Sequence, residues 1–172
     1  LNKITLGFFN DSYIMGQNAC SSPHIIIWYR TKKEFIEKYW DQLYMLSKNK
    51  FNLNNEIAIK KYLNQCENLI NYKNIKFKKN YNNYLYVSNL KNINNKVEKI
   101  RGIYGTFYQI KKNNFLFLKK IISNKYKTIT YSGVSKKILS ENVIKQNLKG
   151  IDRIVPVGKA LDIDIQWDGY DL

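Results

Sequence analysis

The sequence predicts an α/β fold with three layers, a largely parallel sheet with helices flanking it. Segments typical of strands alternate along the chain with segments typical of helices, which is the pattern of such layered folds. The 172 residues are 44% hydrophobic and 15% aromatic, which is enough to form a hydrophobic core. We find no internal repeat and no linker rich in proline or serine, so we predict a single domain over 1–172.

The first predicted strand and helix follow Pro23. The apolar run IIIWY at 25–29 predicts a short buried strand. Helical periodicity then begins after Thr31 and continues to residue 49, with Glu34 three residues after Thr31. This is the spacing of a capping box, so we expect the Thr31 side chain to cap this helix.

A second amphipathic helix is predicted over 55–72. Its apolar residues recur at intervals of three and four and define one face, which we expect to pack on the core. Cys66 lies on or beside that face. We therefore interpret Cys66 as a small core residue and not as a reactive one.

The rest of the chain is predicted to add strands, one helix and a terminal arm. The predicted strands lie at 75–79, 83–90, 105–111, 127–133 and 152–158, the helix lies at 135–148, and residues 115–123 fit either type. The tail ALDIDIQWDGYDL alternates apolar and acidic residues, as an extended arm or a last strand with a turn at Asp168–Gly169 would. We expect its aspartates to pair with a lysine-rich surface of the same or another subunit.

The formal net charge is +16, and nearly all of the excess is lysine. Arginine, which base readout and phosphate clamping favour, occurs only at Arg30, Arg101 and Arg153. We interpret the charge as a compositional bias and do not expect a nucleic-acid-binding function. The alternative left open is a nonenzymatic basic domain that binds nucleic acid or an acidic partner.

Cysteine and histidine are rare in the chain. Cys20, Cys66 and His24 are too few for a disulfide framework or a structural metal site. The sequence also shows no signal peptide and no apolar run of about 20 residues. We therefore expect no metal, no membrane span and a reducing, cytoplasmic setting.

The surroundings of Cys20 differ from those of Cys66. Cys20 lies in MGQNACSSPHIIIWY, between polar residues and a turn of small residues. Such a turn presents the thiol and can direct backbone N–H groups at an oxyanion, with the amide of Gln17 or Asn18 as a further donor. His24 leads into the strand, whose geometry carries its side chain away from the turn, so we interpret His24 as structural.

Two segments carry a resemblance to a known family. Residues 17–23, QNACSSP, resemble the nucleophile segment of the LuxC-type acyl-CoA reductases, a branch of the aldehyde dehydrogenase superfamily. Residues 152–172 resemble the segment with which those enzymes end. The two segments occur in the same order as in that family. The resemblance implies an aldehyde-dehydrogenase-type catalytic domain.

The resemblance also implies an activity, the NADPH-dependent reduction of a fatty acyl-CoA or acyl-protein thioester to the aldehyde. Cys20 would accept the acyl group, and Asn18 with the Cys20 backbone N–H would bind the oxyanion. In bioluminescent bacteria such a reductase works with an acyl-protein synthetase, which is therefore a candidate partner. A homo-oligomer is a further expectation.

Residues 102–107, GIYGTF, stand where the superfamily has a Glu-x-Phe-Gly-Pro segment at the nicotinamide ribose, with Gly102 in place of the glutamate. The resemblance thus makes Tyr104 and Phe107 candidates for the cofactor face or the acyl channel. In the superfamily the dinucleotide-binding domain and the general-base glutamate precede the nucleophile. We therefore expect the catalytic part of a longer reductase, which binds NADPH weakly by itself; the alternative is a folded but inactive truncated reductase.

Overall fold

The computed structural model describes residues 1–94, 96–122, 126–162, 166–167 and 170–171. It shows a mixed α/β fold with a mostly parallel sheet and flanking helices, which confirms the predicted class at that level. The helices are α1 (Asn2–Tyr13), α2 (Lys33–Lys50), α3 (Asn55–Asn71), α4 (Leu118–Ile121) and α5 (Lys136–Lys145). The strands are β1 (Ile25–Tyr29), β2 (Ile75–Tyr81), β3 (Leu85–Leu90), β4 (Thr106–Lys112), β5 (Thr128–Tyr131), β6 (Arg153–Pro156), β7 (Gln166–Trp167) and β8 (Tyr170–Asp171).

The central sheet contains four strands in the order β1-β4-β3-β2. β4 runs parallel to β1 and to β3, whereas β2 pairs antiparallel with β3. The β2–β3 turn contains Asn82 and Asn83, both with positive φ, a conformation that asparagine tolerates in a tight hairpin. β5 and β6 form a separate parallel pair, and β7 pairs antiparallel with β8. The predicted turn at Asp168–Gly169 lies outside the described residues.

Helices α1 and α2 cover one face of the central sheet. α1 was not predicted, because Gly7, Asn10 and Asp11 are weak helix formers and leave no clear helical pattern. The helix is stabilised instead by the burial of aromatic side chains against α2 and the sheet. The main residues of this core are Phe8, Phe9, Tyr13, Trp28, Tyr39, Trp40, Leu43, Leu85, Val87 and Phe107.

The opposite face of the sheet carries a second core. Its buried members come from the strands and from the connections after β3 and β4, namely Ile75, Leu90, Ile93, Val97, Ile100, Tyr108, Ile110, Phe117 and Leu118. Residues 115–123, which fitted a helix or a strand, contain the short helix α4. Leu69 and Tyr72, from the end of α3 and just beyond it, pack against this core.

The predicted cap of α2 is wrong. α2 begins at Lys33, with Lys32 before it, and no side chain caps its first turn. Thr31 instead donates from Oγ1 to the carbonyl oxygen of Tyr29 at 3.0 Å. The Thr31 hydroxyl is therefore hydrogen-bonded to the end of β1 and does not cap α2.

The predicted orientation of α3 is also wrong, since the helix turns its polar face to the sheet. Lys61 is 0% exposed and donates from Nζ to the carbonyl oxygen of Asn83 at 2.7 Å. Gln65 donates to Ser88 Oγ at 2.9 Å, and Asn68 donates to Tyr108 Oη at 2.9 Å. Because each polar group finds a partner on the sheet side, burial of this face is tolerated. Cys66, on the other face, is half-buried and does not lie in the core.

Candidate functional site

Cys20 lies in the loop between α1 and β1, residues 14–24, which we call the Cys20 loop. After α1, the loop contains two left-handed residues, Gly16 and Gln17, with φ of 57° and 62°. The N–H of Gln17 donates to the carbonyl oxygen of Ser12 at 2.8 Å, which terminates the helix and reverses the chain. Cys20 then lies in a turn closed by the N–H of Ser22 donating to Ala19 at 3.0 Å, and its side chain is exposed. The predicted turn and the accessibility of Cys20 are confirmed.

The buried side chain of Gln17 attaches this loop to the start of β4. Its Oε1 accepts from the N–H groups of Gly105 and Thr106 at 2.7 and 3.0 Å. Its Nε2 donates to the carbonyl oxygens of Pro23 and Thr106 at 3.0 and 3.1 Å. Both the oxygen and the nitrogen of the amide are therefore hydrogen-bonded to backbone groups. Gln17 is a positioning residue for the Cys20 loop, and its amide is not directed at an oxyanion.

Tyr104 connects the loop before β4 to the Cys20 loop. Its N–H donates to the carbonyl oxygen of Gly16 at 3.1 Å, with Tyr104 itself at a φ of 50°. The ring lies so close to Gly16 that a Cβ there would be 2.7 Å from a ring carbon. Glycine at 16 is thus required by the approach of Tyr104 and by its positive φ. The sequence grouped Tyr104 with the site, and the structure brings it to the Cys20 loop.

His24 has a structural position, in line with its prediction. Its Nδ1 accepts from the N–H of Gly102 at 3.2 Å, and its carbonyl oxygen accepts from the N–H of Tyr108 at 3.0 Å. Burial, aided by the positive charge of Arg101, lowers the pKa of His24 to about 4. His24 is therefore neutral at pH 7, and it links the start of β1 to the segment that precedes β4.

Acidification is expected to destabilise the fold through His24. Its pKa is about 4 in the folded chain and near 6.5 when unfolded, so the unfolded state binds this proton first. The stabilisation that neutral His24 contributes is complete above about pH 6.5 and is lost as the pH falls towards 4. At pH 4.5 the free energy of unfolding should be lower by about 2–3 kcal/mol. We would compare urea unfolding at pH 7.5 and 4.5 for the wild type and His24→Asn. An equal pH dependence in both proteins would contradict the assignment.

Three buried hydroxyl groups lie in or next to the Cys20 loop without a hydrogen-bond partner among the described residues. They belong to Ser21, Ser22 and Thr106. Ser22 is only 4% exposed, and Thr106 is one of the residues that Gln17 holds. Nearly all buried polar groups in proteins are hydrogen-bonded, so these three hydroxyls are exceptions, and Thr106, at 0% exposed, offers no surface to a ligand. Thr106 was not predicted from the sequence.

Asn18 and Phe107, the other two predicted site residues, lie in different environments. Asn18 is exposed and adjacent to the turn, and its N–H donates to the carbonyl oxygen of Met15 at 2.9 Å. Phe107 is 0% exposed and packs against Phe8 and Trp40. A buried core ring offers no surface to a cofactor or an acyl chain, so we correct the role expected of Phe107.

Asp11 is a buried residue whose structural role the sequence did not reveal. Its carboxylate, 2% exposed, accepts from the N–H groups of Gly158 and Ala160 at 2.6 and 3.0 Å. Burial raises its pKa. Gly7, one turn earlier on α1, packs so closely on Gly158 that a Cβ would be 3.0 Å from its Cα. The segment after β6 thus contacts α1, the helix that precedes the Cys20 loop.

Of the two segments that carry the family resemblance, the first follows α1 in the chain and the second contacts α1 through Gly158 and Ala160. Arg153 further ties the second segment together by donating to the carbonyl oxygen of Asp162 at 2.7 Å. The carboxylate of Asp162 accepts from Lys159 at 2.6 Å, a local pair between residues three apart. The pairing of the tail aspartates with a lysine-rich surface stays a prediction. Asp164 and Asp168 lie outside the described residues.

No family model matches the chain, and no curated protein sequence matches it significantly. Across the described residues, no group of three histidine, cysteine, aspartate or glutamate side chains could hold a metal ion. Within the same part of the chain, no helix is both long enough and apolar enough to cross a lipid bilayer.

Proposed function

We propose that the chain is the nucleophile-bearing part of a fatty-acyl thioester reductase of the aldehyde dehydrogenase type, in which Cys20 accepts the acyl group. The observation that carries the proposal is the exposed Cys20 on a loop fixed by Gln17 and Tyr104. A nucleophile needs an accessible side chain on a backbone that does not move during attack. The resemblance of residues 17–23 to the nucleophile segment of acyl-CoA reductases supports the same assignment.

The chemical step proposed for Cys20 is transthioesterification. The Cys20 thiolate attacks the carbonyl carbon of an acyl-CoA or acyl-protein thioester and forms a tetrahedral oxyanion. The bond to the original sulfur then breaks, the carrier departs as its thiolate, and the acyl group remains on Cys20. Asn18 is the proposed side-chain donor to the oxyanion, because its amide is exposed beside the turn.

The reduction of the acyl-cysteine to an aldehyde would need a hydride from NADPH. The described residues do not form a matching surface for that cofactor. Phe107 is in the core, the ring of Tyr104 packs on Gly16, and Gly102 replaces the glutamate of the superfamily. We therefore derive only the acyl-transfer step from this structure and leave hydride transfer as an expectation of the resemblance.

Incubation with a long-chain acyl-CoA is expected to add one acyl group to the protein at Cys20. Intact-mass spectrometry would measure the adduct in the wild type, Cys20→Ala and Cys66→Ala. The adduct should be absent from Cys20→Ala and unchanged in Cys66→Ala, because Cys66 is half-buried on α3. Treatment with neutral hydroxylamine should release the acyl group, as expected for a thioester.

Two outcomes would count against the proposal. One is equal labelling of Cys20 and Cys66, which would mean that the loop gives Cys20 no advantage beyond exposure. The other is no adduct together with tight, steeply salt-dependent binding to a polyanion such as heparin, which would favour the basic binding domain. Edge strand β2 exposes Lys76, Lys78 and Lys79, which would be the first residues to substitute in that case.

A further inference from the structure

Helix α3 exposes a continuous apolar stripe. The stripe consists of Ile59, Tyr62, Leu63 and Ile70, which are 60%, 60%, 54% and 78% exposed, with Cys66 among them. At 100° per residue, these positions fall within about one third of the helix circumference. Isolated exposed apolar residues are common on proteins, but a contiguous patch indicates an interaction surface.

Rotation of the helix cannot bury this stripe. Lys61, Gln65 and Asn68, on the opposite face, are hydrogen-bonded to Asn83, Ser88 and Tyr108. A rotation that turned the apolar stripe inwards would break all three bonds and leave these groups unpaired. The stripe is therefore a fixed outer surface of the fold.

We propose that the stripe binds the α3 stripe of a second copy of this chain, with the two helices antiparallel across a two-fold axis. The proposal does not depend on the proposed function. In an antiparallel pair, Ile59 of one copy faces Ile70 of the other, and Leu63 faces Cys66. An interface of this kind is self-complementary, as two-fold dimers require.

Charge complementarity favours this occupant and this direction. Lys60 and Glu67 are exposed and lie on the same flank of the stripe, seven residues apart. A two-fold axis between antiparallel helices brings each Lys60 to the Glu67 of the other copy, within about one helical turn. Lys60 already contacts Glu56 at 2.6 Å but remains 55% exposed, so its ammonium group can also reach a second carboxylate. Parallel helices would instead bring this charged flank against a flank without charges.

The size of the stripe indicates a weak dimer. The four large side chains expose roughly 500 Å² per copy, so a pair would bury about 1,000 Å², the lower limit for a specific interface. We therefore expect a Kd of about 10–100 µM. At 0.15 M salt, repulsion between the remaining lysines is largely screened beyond about 8 Å.

Sedimentation equilibrium at several protein concentrations would test the dimer. The wild type should change from monomer to dimer over the expected range, and Ile70→Glu should remain a monomer. Ile144→Glu is the matched control, because Ile144 is also 78% exposed on a helix but lies on α5. Circular dichroism would check that each variant is folded.

Charge reversal would identify the pairing. Lys60→Glu and Glu67→Lys should each weaken the dimer about three- to tenfold, and the double variant should restore it. A change in net charge alone would shift the two single variants in opposite directions. A wild type that stays monomeric at every concentration would overturn the proposal, as would equal effects of Ile70→Glu and Ile144→Glu. A double variant no better than the single variants would also overturn it.

Discussion

Replacement of Gln17 by alanine is expected to lower the free energy of unfolding by about 3–5 kcal/mol. The substitution removes a buried amide that makes four hydrogen bonds to the backbone. The buried N–H of Gly105 would lose its hydrogen bond, and the carbonyl oxygen of Pro23, which is part-buried, would lose one as well. Gln17 already has a left-handed φ of 62°, so alanine keeps the backbone strain of the wild type, and the loss comes from the missing hydrogen bonds. Urea unfolding at pH 7.5 would measure the change.

Two further variants test the origin of this loss. Gln17→Gly removes the same hydrogen bonds but adopts the positive φ without strain, so it should be about 1 kcal/mol more stable than Gln17→Ala. Asn18→Ala, at the neighbouring exposed position, should change the free energy of unfolding by less than about 0.5 kcal/mol. A Gln17→Ala loss as small as that of Asn18→Ala would contradict the positioning role of Gln17.

The same substitution should reduce acyl transfer to Cys20. Without Gln17, the Cys20 loop loses its attachment to β4, and the turn at Ala19–Ser22 samples other conformations. We expect the rate of acyl-adduct formation in the folded fraction to fall about tenfold, since a small misplacement of a nucleophile is costly. Alkylation by a small reagent needs no oriented substrate, so its rate at Cys20 should change much less. Equal losses in both rates would indicate a general loss of structure.

The sequence predicted the elements whose local pattern agrees with their environment. β1, β2, β3 and β4 appear close to their predicted positions. In β3 and β4 the β-branched and aromatic residues are also buried in the sheet, whereas the edge strand β2 buries only Ile75 and Tyr81. α2 was predicted for the same reason, as its apolar stripe faces the core. In both cases, local propensity and tertiary packing favour the same conformation.

The errors occur where a distant contact overrides the local pattern. The buried face of α3 could not be predicted, because Lys61, Gln65 and Asn68 are stabilised by partners that lie far along the chain. α1 depends on packing against α2 and on the hydrogen bonds that the Asp11 carboxylate accepts from the segment after β6. Periodicity alone contains neither kind of information.

The candidate site shows the same division. The exposure of Cys20 was predicted because its polar and small neighbours differ from those of a core cysteine. The role of Gln17 was not found, since its partners Gly105 and Thr106 are nearly 90 residues away in sequence. Phe107 was misplaced because a family motif gives the position of a residue in the sequence but not the side of the sheet on which its ring lies.

Gly102→Ala is expected to destabilise the fold by more than about 3 kcal/mol. A Cβ at this position would overlap the carbonyl oxygen of Thr106 and would be 2.8 Å from its carbonyl carbon. Both atoms belong to the backbone at the start of β4, so a rotamer change cannot relieve the overlap. The superfamily segment that GIYGTF resembles has a glutamate at this position. The close approach of the Thr106 backbone leaves no room for that side chain here.

The effect of Gly102→Ala should extend to the Cys20 loop. The N–H of Gly102 donates to His24, and two residues later Tyr104 packs on Gly16. A displacement of residues 102–105 would therefore disturb the contacts that hold the loop, and we expect adduct formation at Cys20 to fall with stability. Urea unfolding and the intact-mass assay would measure the two effects on the same protein.

Gly133→Ala is the matched control for Gly102→Ala. Gly133 has a φ of 72°, and no atom lies within 4 Å of the position that a Cβ would occupy. The variant should lose about 1 kcal/mol from backbone strain alone and keep normal acylation of Cys20. A Gly102→Ala protein as stable as Gly133→Ala would show that the backbone at 102 can move away from β4. The connection proposed between Gly102 and the Cys20 loop would then be wrong.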